Sequence, residues 1–116
     1  MRNFRKFHVW DKSHEQVLSI YKCTSLFPRE KVFGITSQIR RSAVSIPSNI
    51  AEGCGRKSDP DFKRFLIIAF GSASELEYLL ILSKDLKYID NQVFNEHLKS
   101  VTQIKKMLSS LIKRLS

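Results

Sequence analysis

Residues 58–84 read SDPDFKRFLIIAFGSASELEYLLILSK. Pro60, directly behind the capping candidates Ser58 and Asp59, is a helix start. A first turn leaves its N–H groups unpaired, so proline loses nothing there, and its fixed φ suits the helix. Phe62, Phe65, Leu66, Ala69, Ala73, Leu76 and Leu80 then recur every three or four residues, and no proline or loop signal intervenes before Lys84. A helix of this length in a chain of 116 residues needs partners of similar length to cover its apolar stripe. The chain supplies them on both sides.

Upstream, Ile35, Ile39, Ala43, Ile46 and Ile50 keep helical phase and predict a second helix from about Phe33 to Glu52. Pro47 lies inside that phase. It removes one backbone donor and crowds the Ala43 carbonyl, so a kink is expected. Gly53-Cys54-Gly55 reads as the break before the third helix. Further upstream, Trp10, His14, Val17, Leu18 and Tyr21 predict a first helix over about Lys12 to Ser25, capped by Asp11 and ended by Pro28. The aromatic, basic segment Phe4 to Trp10 would cross the end of the bundle. Downstream, Asp90 caps a fourth helix carrying Phe94, Leu98, Val101, Ile104, Leu108, Leu111, Ile112 and Leu115 to the end of the chain. The expected fold is all-α: a single domain over 1–116, an antiparallel up-down-up-down four-helix bundle kinked at Pro47.

Four glycines and three prolines are too few to turn a β-sandwich or barrel. Twenty Lys and Arg against eleven Asp and Glu give a net charge of +9, which favours polyanionic partners such as RNA, DNA or an acidic protein face. Two cysteines, Cys23 and Cys54, make neither a disulfide scaffold nor a zinc knuckle. No apolar run follows Met1-Arg2-Asn3-Phe4, so no secretory signal is read. The stretch Phe65 to Leu82 has the length of a membrane span, but Glu75 and Glu77 lie within it. A cytoplasmic protein without a membrane partner is expected.

The chemistry-bearing residues do not assemble into a catalytic constellation. His8, His14 and His97 share no metal-ligand spacing; His14 reads as a partly buried packing residue, the other two as surface residues. Cys54 sits beside Arg56 and Lys57 but has no histidine or second thiol to complete a nucleophile, and reads as an ordinary loop thiol. Gly53-Cys54-Gly55-Arg56-Lys57-Ser58 lacks the spacing and the preceding strand of a phosphate loop. Glu75 and Glu77 point about 200° apart on a helix and cannot share a metal; Glu77 is expected to pair with Arg40 or Arg41. No enzyme activity, cofactor or metal is expected.

Two surface features carry the functional expectation. Arg40, Arg41, Arg56, Lys57, Lys63 and Arg64 flank the end of the second helix and the start of the third, offering phosphate contacts; a solvated face with local ion pairs to Glu52, Asp59 and Asp61 is the other reading. On the third helix, Ile67, Ile68, Gly71, Tyr78, Leu79 and Leu82 form a second apolar face where an outer helix should be polar, which points to self-association.

The order of Phe7-His8-Val9-Trp10-Asp11-Lys12, Leu26-Phe27-Pro28, the block from Gly34 to Gly53 (GITSQIRRSAVSIPSNIAEG), Gly55-Arg56 and Gly71-Ser72-Ala73-Ser74-Glu75-Leu76-Glu77 resembles the four-helix-bundle proteins encoded in intervening sequences of bacterial 23S ribosomal RNA genes. These are often labelled ribosomal-protein-like, and the accessory variability determinant of diversity-generating retroelements is a relative. The second-helix block is the most specific part, and Cys54 stands where the family usually has an aromatic or small residue. The resemblance implies a homopentameric, barrel-like ring, a basic surface that binds RNA or DNA, in the retroelement relative a reverse transcriptase partner, and no enzymatic activity. Two functions are set against each other: a nucleic-acid or nucleoprotein binding module, and a structural adaptor that binds an acidic protein partner without nucleic acid.

Overall fold

The computed structural model describes residues 2–115; Met1 and Ser116, the ends of the expected domain, lie outside the described residues. Four helices carry the fold: α1 (His8–Thr24), α2 (Ser37–Cys54), α3 (Asp59–Asp85) and α4 (Asn91–Arg114), with no strand among the described residues. A 3-10 turn, Phe4–Lys6, precedes α1, and a 3-10 turn, Arg29–Lys31, followed by a π turn, Val32–Thr36, leads into α2.

The caps of the two long C-terminal helices are where the sequence puts them. The Ser58 hydroxyl accepts the Asp61 N–H at 3.2 Å, and the Asp90 carboxylate accepts the Val93 N–H at 2.8 Å, each satisfying an otherwise orphaned first-turn donor. α3 ends without glycine. Lys87 takes a left-handed φ of 65°, which lets the Tyr88 N–H reach back to the Ser83 carbonyl at 2.9 Å, the closing bond of a Schellman-type end.

α1 departs from expectation. It starts four residues earlier than Lys12, behind Phe7, so Asp11 is not its cap but an acid in its first turn, where it still favours the positive end of the helix dipole. Its buried face is also a different one: Val9, Ser13, Gln16, Ile20 and Thr24 face the core, while His14, Leu18 and Tyr21 are exposed. Three of those buried residues are polar, and each makes a hydrogen bond locally or across the bundle, with the Gln16 Oε1 left without a partner among the described residues. Ser13 donates to the Trp10 carbonyl at 2.9 Å and Thr24 to the Ile20 carbonyl at 2.8 Å, and Gln16 pairs with His97 at 2.8 Å. Such bonds make burial of these groups affordable, and they are invisible to a hydropathy count.

α2 begins later than Phe33 and ends later than Glu52. Gly34 has φ −111° and ψ −113°, outside the helical region, and the π turn around it throws Phe33 into solvent at 97% exposure. Pro47 is buried within the single continuous helix, flanked in the core by Ile46 and Ile50. At the other end the helix runs through Gly53 to Cys54. Gly53 is not a break but a point of close approach: a Cβ there would sit 2.9 Å from Phe65 Cβ and 3.3 Å from the Phe62 carbonyl oxygen.

Side-chain bonds fix how neighbouring helices pass. Between α2 and α3, Ser42 donates to Glu75 at 2.8 Å and Ser45 meets Ser72 at 2.8 Å, so position falls along one helix as it rises along the other. Between α3 and α4 the Glu77–Lys105 ion pair at 3.1 Å and the Lys84 ammonium over the Phe94 ring run the same way. Glu77 therefore pairs with α4 and not with Arg40 or Arg41. One cluster of buried apolar residues takes side chains from all four helices, including Ile20, Ile39, Ile46, Leu66, Leu76, Leu80, Ile104 and Leu108.

Gly53→Ala tests the close approach. Alanine improves helix propensity by about 1 kcal/mol, but overpacking a site walled by a Cβ and a carbonyl costs about 1–3 kcal/mol. The variant should lose up to about 2 kcal/mol in urea unfolding; a gain in stability would show that α2 and α3 can separate freely there.

Candidate nucleic-acid interface

The six basic residues singled out above divide into two groups. Arg41 and Arg56 are fifteen positions apart along α2 and its C-terminal turn, about 22 Å at 1.5 Å per residue, so Arg40 and Arg41 do not share a patch with the other four. Arg40 is also engaged: its Nε donates to the Thr24 hydroxyl at 2.8 Å and its guanidinium lies over the Tyr21 ring at 4.6 Å, tying the start of α2 to the end of α1.

The remaining four surround the α2–α3 turn. Arg56 and Arg64 lie over the Phe65 ring at 4.8 and 4.6 Å, held in addition by Glu52 at 3.2 Å and Asp61 at 3.9 Å. Stacking on an aromatic face leaves the outer rim of each guanidinium free to donate. Lys57 and Lys63 make no ion pair among the described residues. The local ion pairs anticipated as the competing reading are thus present, yet exposed, and exposed pairs hold their cations weakly.

The sequence could not show what joins this turn. Arg2 donates its backbone N–H to the Cys54 carbonyl at 3.0 Å, pairs with Asp59 and lays its guanidinium over Phe62 at 4.2 Å. Lys6 and His8 line one groove with Lys106 and Arg114. The start of α1, the end of α2, the start of α3 and the end of α4 therefore meet at one end of a body 43 Å long. Dividing each helix at its middle, the half made of residues 2–16, 46–72 and 103–115 holds twelve of the twenty Lys and Arg but only five of the eleven Asp and Glu. Most of the net +9 sits on that half. Arg2, Arg5, Lys6, Lys106, Lys113 and Arg114 belong to it; the sequence offers Arg2, Arg5, Lys6 and the lysines of α4 only as an alternative to the six residues singled out, because they are scattered along the chain and only the topology gathers them.

The apolar face of α3 is largely as read. Ile67 and Tyr78 are 51% and 58% exposed, Ile68 is exposed, Leu82 is half-buried, and open space lies over Gly71. Leu79 is a correction: it is 4% exposed and part of the core. It stands one turn beyond Glu75 and two beyond Ser72, on the side of α3 that those residues turn toward α2. A second exposed apolar area, not anticipated, is formed by Leu18, Tyr21, Val32, Phe33 and Val44 at the α1–α2 seam.

The family model of the 23S rRNA-intervening sequence protein matches residues 5–110. The chain belongs to that family. A crystal structure of a protein with unknown function from the S23 ribosomal protein family of Bacteroides thetaiotaomicron VPI-5482 is similar at 37% sequence identity and a TM-score of 0.82, over 90% of this chain and 98% of that one. No curated protein matches.

In this member of the intervening-sequence family, two titratable side chains sit where the sequence did not suggest. Cys54 is a buried helix residue and not a loop thiol; burial pushes its pKa up, against a smaller downward pull from Arg2. His97 is buried in the α4 stripe Phe94, His97, Val101, Ile104, Leu108, while His14 is exposed and stacked on Trp10 at 5.2 Å, the reverse of the expected assignment. Among the described residues no three His, Cys, Asp or Glu side chains are placed to hold a metal ion.

Burial lowers the His97 pKa, with Glu96 opposing more weakly. The folded protein thus resists protonation that the unfolded chain accepts near 6.5. The stability contributed is complete above pH 6.5 and is lost as pH falls below that value toward the folded-state pKa. His97→Gln should flatten the dependence of urea midpoint on pH between about 7 and 5; an unchanged slope would move the acid sensitivity to another group.

Proposed function

We propose that the protein is a non-enzymatic, self-associating, cytoplasmic module that binds the phosphate backbone of RNA or DNA with one end of its bundle. The observation that carries this reading is the concentration of Lys and Arg at the end where Arg2, Cys54 and Asp59 meet, around the stacked guanidinium groups of Arg56 and Arg64. Such a field attracts any polyanion and discriminates little among sequences. Membership of the intervening-sequence family supports the reading as context.

The bundle that presents this end runs antiparallel, up-down-up-down, as one domain, with a modest bend at Pro47 where the Ala43 carbonyl has no N–H to accept. Pro47→Ala should therefore keep helical circular dichroism and shift stability by less than about 1 kcal/mol.

Self-association follows from the exposed apolar areas. The outer face of α3 and the α1–α2 seam differ, and a contact between two unlike surfaces propagates head to tail, making a ring where its rotation closes. A homopentamer is the closed form the family resemblance suggests. Ile67→Lys with Tyr78→Lys, both exposed positions, should yield folded monomers by light scattering. An assembly of wild-type mass in that variant would remove the α3 face from the interface.

Reversing Arg56, Lys57, Lys63 and Arg64 to Glu tests the binding end. Wild type should lose affinity for duplex RNA and DNA linearly in log salt, with a slope of about −0.9 per phosphate neutralised, and the four-fold variant should show a shallower slope and weaker binding with its helical signal intact. A wild-type line that is flat in salt would favour the alternative, an adaptor for an acidic protein partner.

A further inference from the structure

At the basic end, the start of α1 and the end of α4 enclose an open groove of about 620 Å³. Its floor is apolar, built from Phe7, Met107 and Leu111. Its rim is cationic, with Lys6, Lys106 and Arg114, and among the described residues no acidic one lines it. None of these three cations makes an ion pair among the described residues. On α4 the rim cations are exposed, while Met107 and Leu111 are half-buried. Lys106 and Arg114 stand eight residues apart, about 12 Å along the axis, and bracket Met107 and Leu111, which are one turn apart, about 6 Å. The Phe7 ring is fixed edge-on against Phe62 at 5.9 Å and 87°, so the aromatic part of the floor is preorganised.

The geometry points to this groove as a seat for an unpaired nucleobase, with the flanking phosphates held by Lys6, Lys106 and Arg114. The assignment rests on the nucleic-acid reading above and sharpens it, because it makes the preferred ligand single-stranded. A duplex keeps its base faces stacked inside and can offer the rim only phosphates; an unpaired strand can also lay a base on the floor, the combination of cationic track and apolar platform that single-strand binders use. The size agrees: the volume falls within the usual range of small-ligand sites. A floor one helical turn long takes a flat ring of base dimensions, whereas an acidic amphipathic helix needs an apolar strip of several turns. The exposed α4 strip Lys106, Ser110, Arg114 gives the test its handle, since Ser110 overhangs the floor between the two cations.

Ser110→Trp fills the groove without changing charge or touching the core, and Ser109→Trp, on an exposed position outside the groove, is its control. Fluorescence anisotropy would compare a labelled oligouridylate with duplex RNA of the same length at one salt concentration. Wild type and Ser109→Trp should bind the single strand about tenfold more tightly than the duplex, the scale of one stacked base. Ser110→Trp should bind both equally, with duplex affinity and salt slope unchanged. A single-strand preference that survives in Ser110→Trp, or a wild type indifferent to strandedness, overturns the groove assignment and leaves the charged end standing. Wild type that binds neither ligand overturns the broader reading together with this one. Displacement by an acidic amphipathic peptide, blocked by Ser110→Trp in a protein indifferent to strandedness, would replace the base with a peptide.

Discussion

The contact between α2 and α3 sets the geometry of everything else. Gly53 lets the two backbones approach until Phe62 and Phe65 fill the space a side chain would take. Ala43, Ala69 and Ala73 are fully buried, and the serine ladder Ser42–Glu75 and Ser45–Ser72 fixes the axial register. Small residues give proximity and the hydroxyls give register, since hydrogen-bonding groups on helices so close must be paired to avoid the cost of burial. The turn that follows Cys54 is short because the helices are already together, and it is this shortness that brings Arg56 and Arg64 onto one ring, that of Phe65.

The long elements were legible from residue order alone because their signals are local. Ser58 and Asp90 act as caps within three residues of their targets, and the apolar stripe of α3 from Phe62 to Leu80 has a period no strand could use. α1 was misread for the opposite reason. Its core face is half polar, with Ser13, Gln16 and Thr24 buried, and its exposed face bears Leu18 and Tyr21, so apolarity pointed the wrong way. What makes Gln16 a core residue is His97, eighty-one positions later, and no local pattern carries that information. The same long-range pair hid the burial of His97. Leu79 failed by a smaller margin: helical angle placed it at the edge of two faces, and the neighbour that claims it, α2, cannot be inferred from α3.

The site shows the same division. The cluster at the α2–α3 turn is contiguous in sequence and could be listed in advance. Grouping Arg40 and Arg41 with it was an error of scale, because residues joined by one helix can be far apart in space. The contribution of Arg2, Lys6, Lys106 and Arg114 is a property of topology, since termini and turns meet only once the helices are laid side by side. Charge totals signalled a polyanion partner; the fold decides which end would meet it.

The body measures 43 × 23 × 19 Å, with its positive charge weighted to one end of the long axis. On the proposed reading, a molecule so built would approach a polyanion as a peg and not as a plank. Standing upright, it would cover a footprint of about 20 Å, against which a duplex presents roughly a dozen phosphate charges. The far end, where Phe33 and Leu26 project at 97% and 85% exposure, would then be held some 40 Å away from the nucleic acid. Contact at one pole would leave the opposite pole clear of the nucleic acid, its apolar tips available to neighbouring subunits.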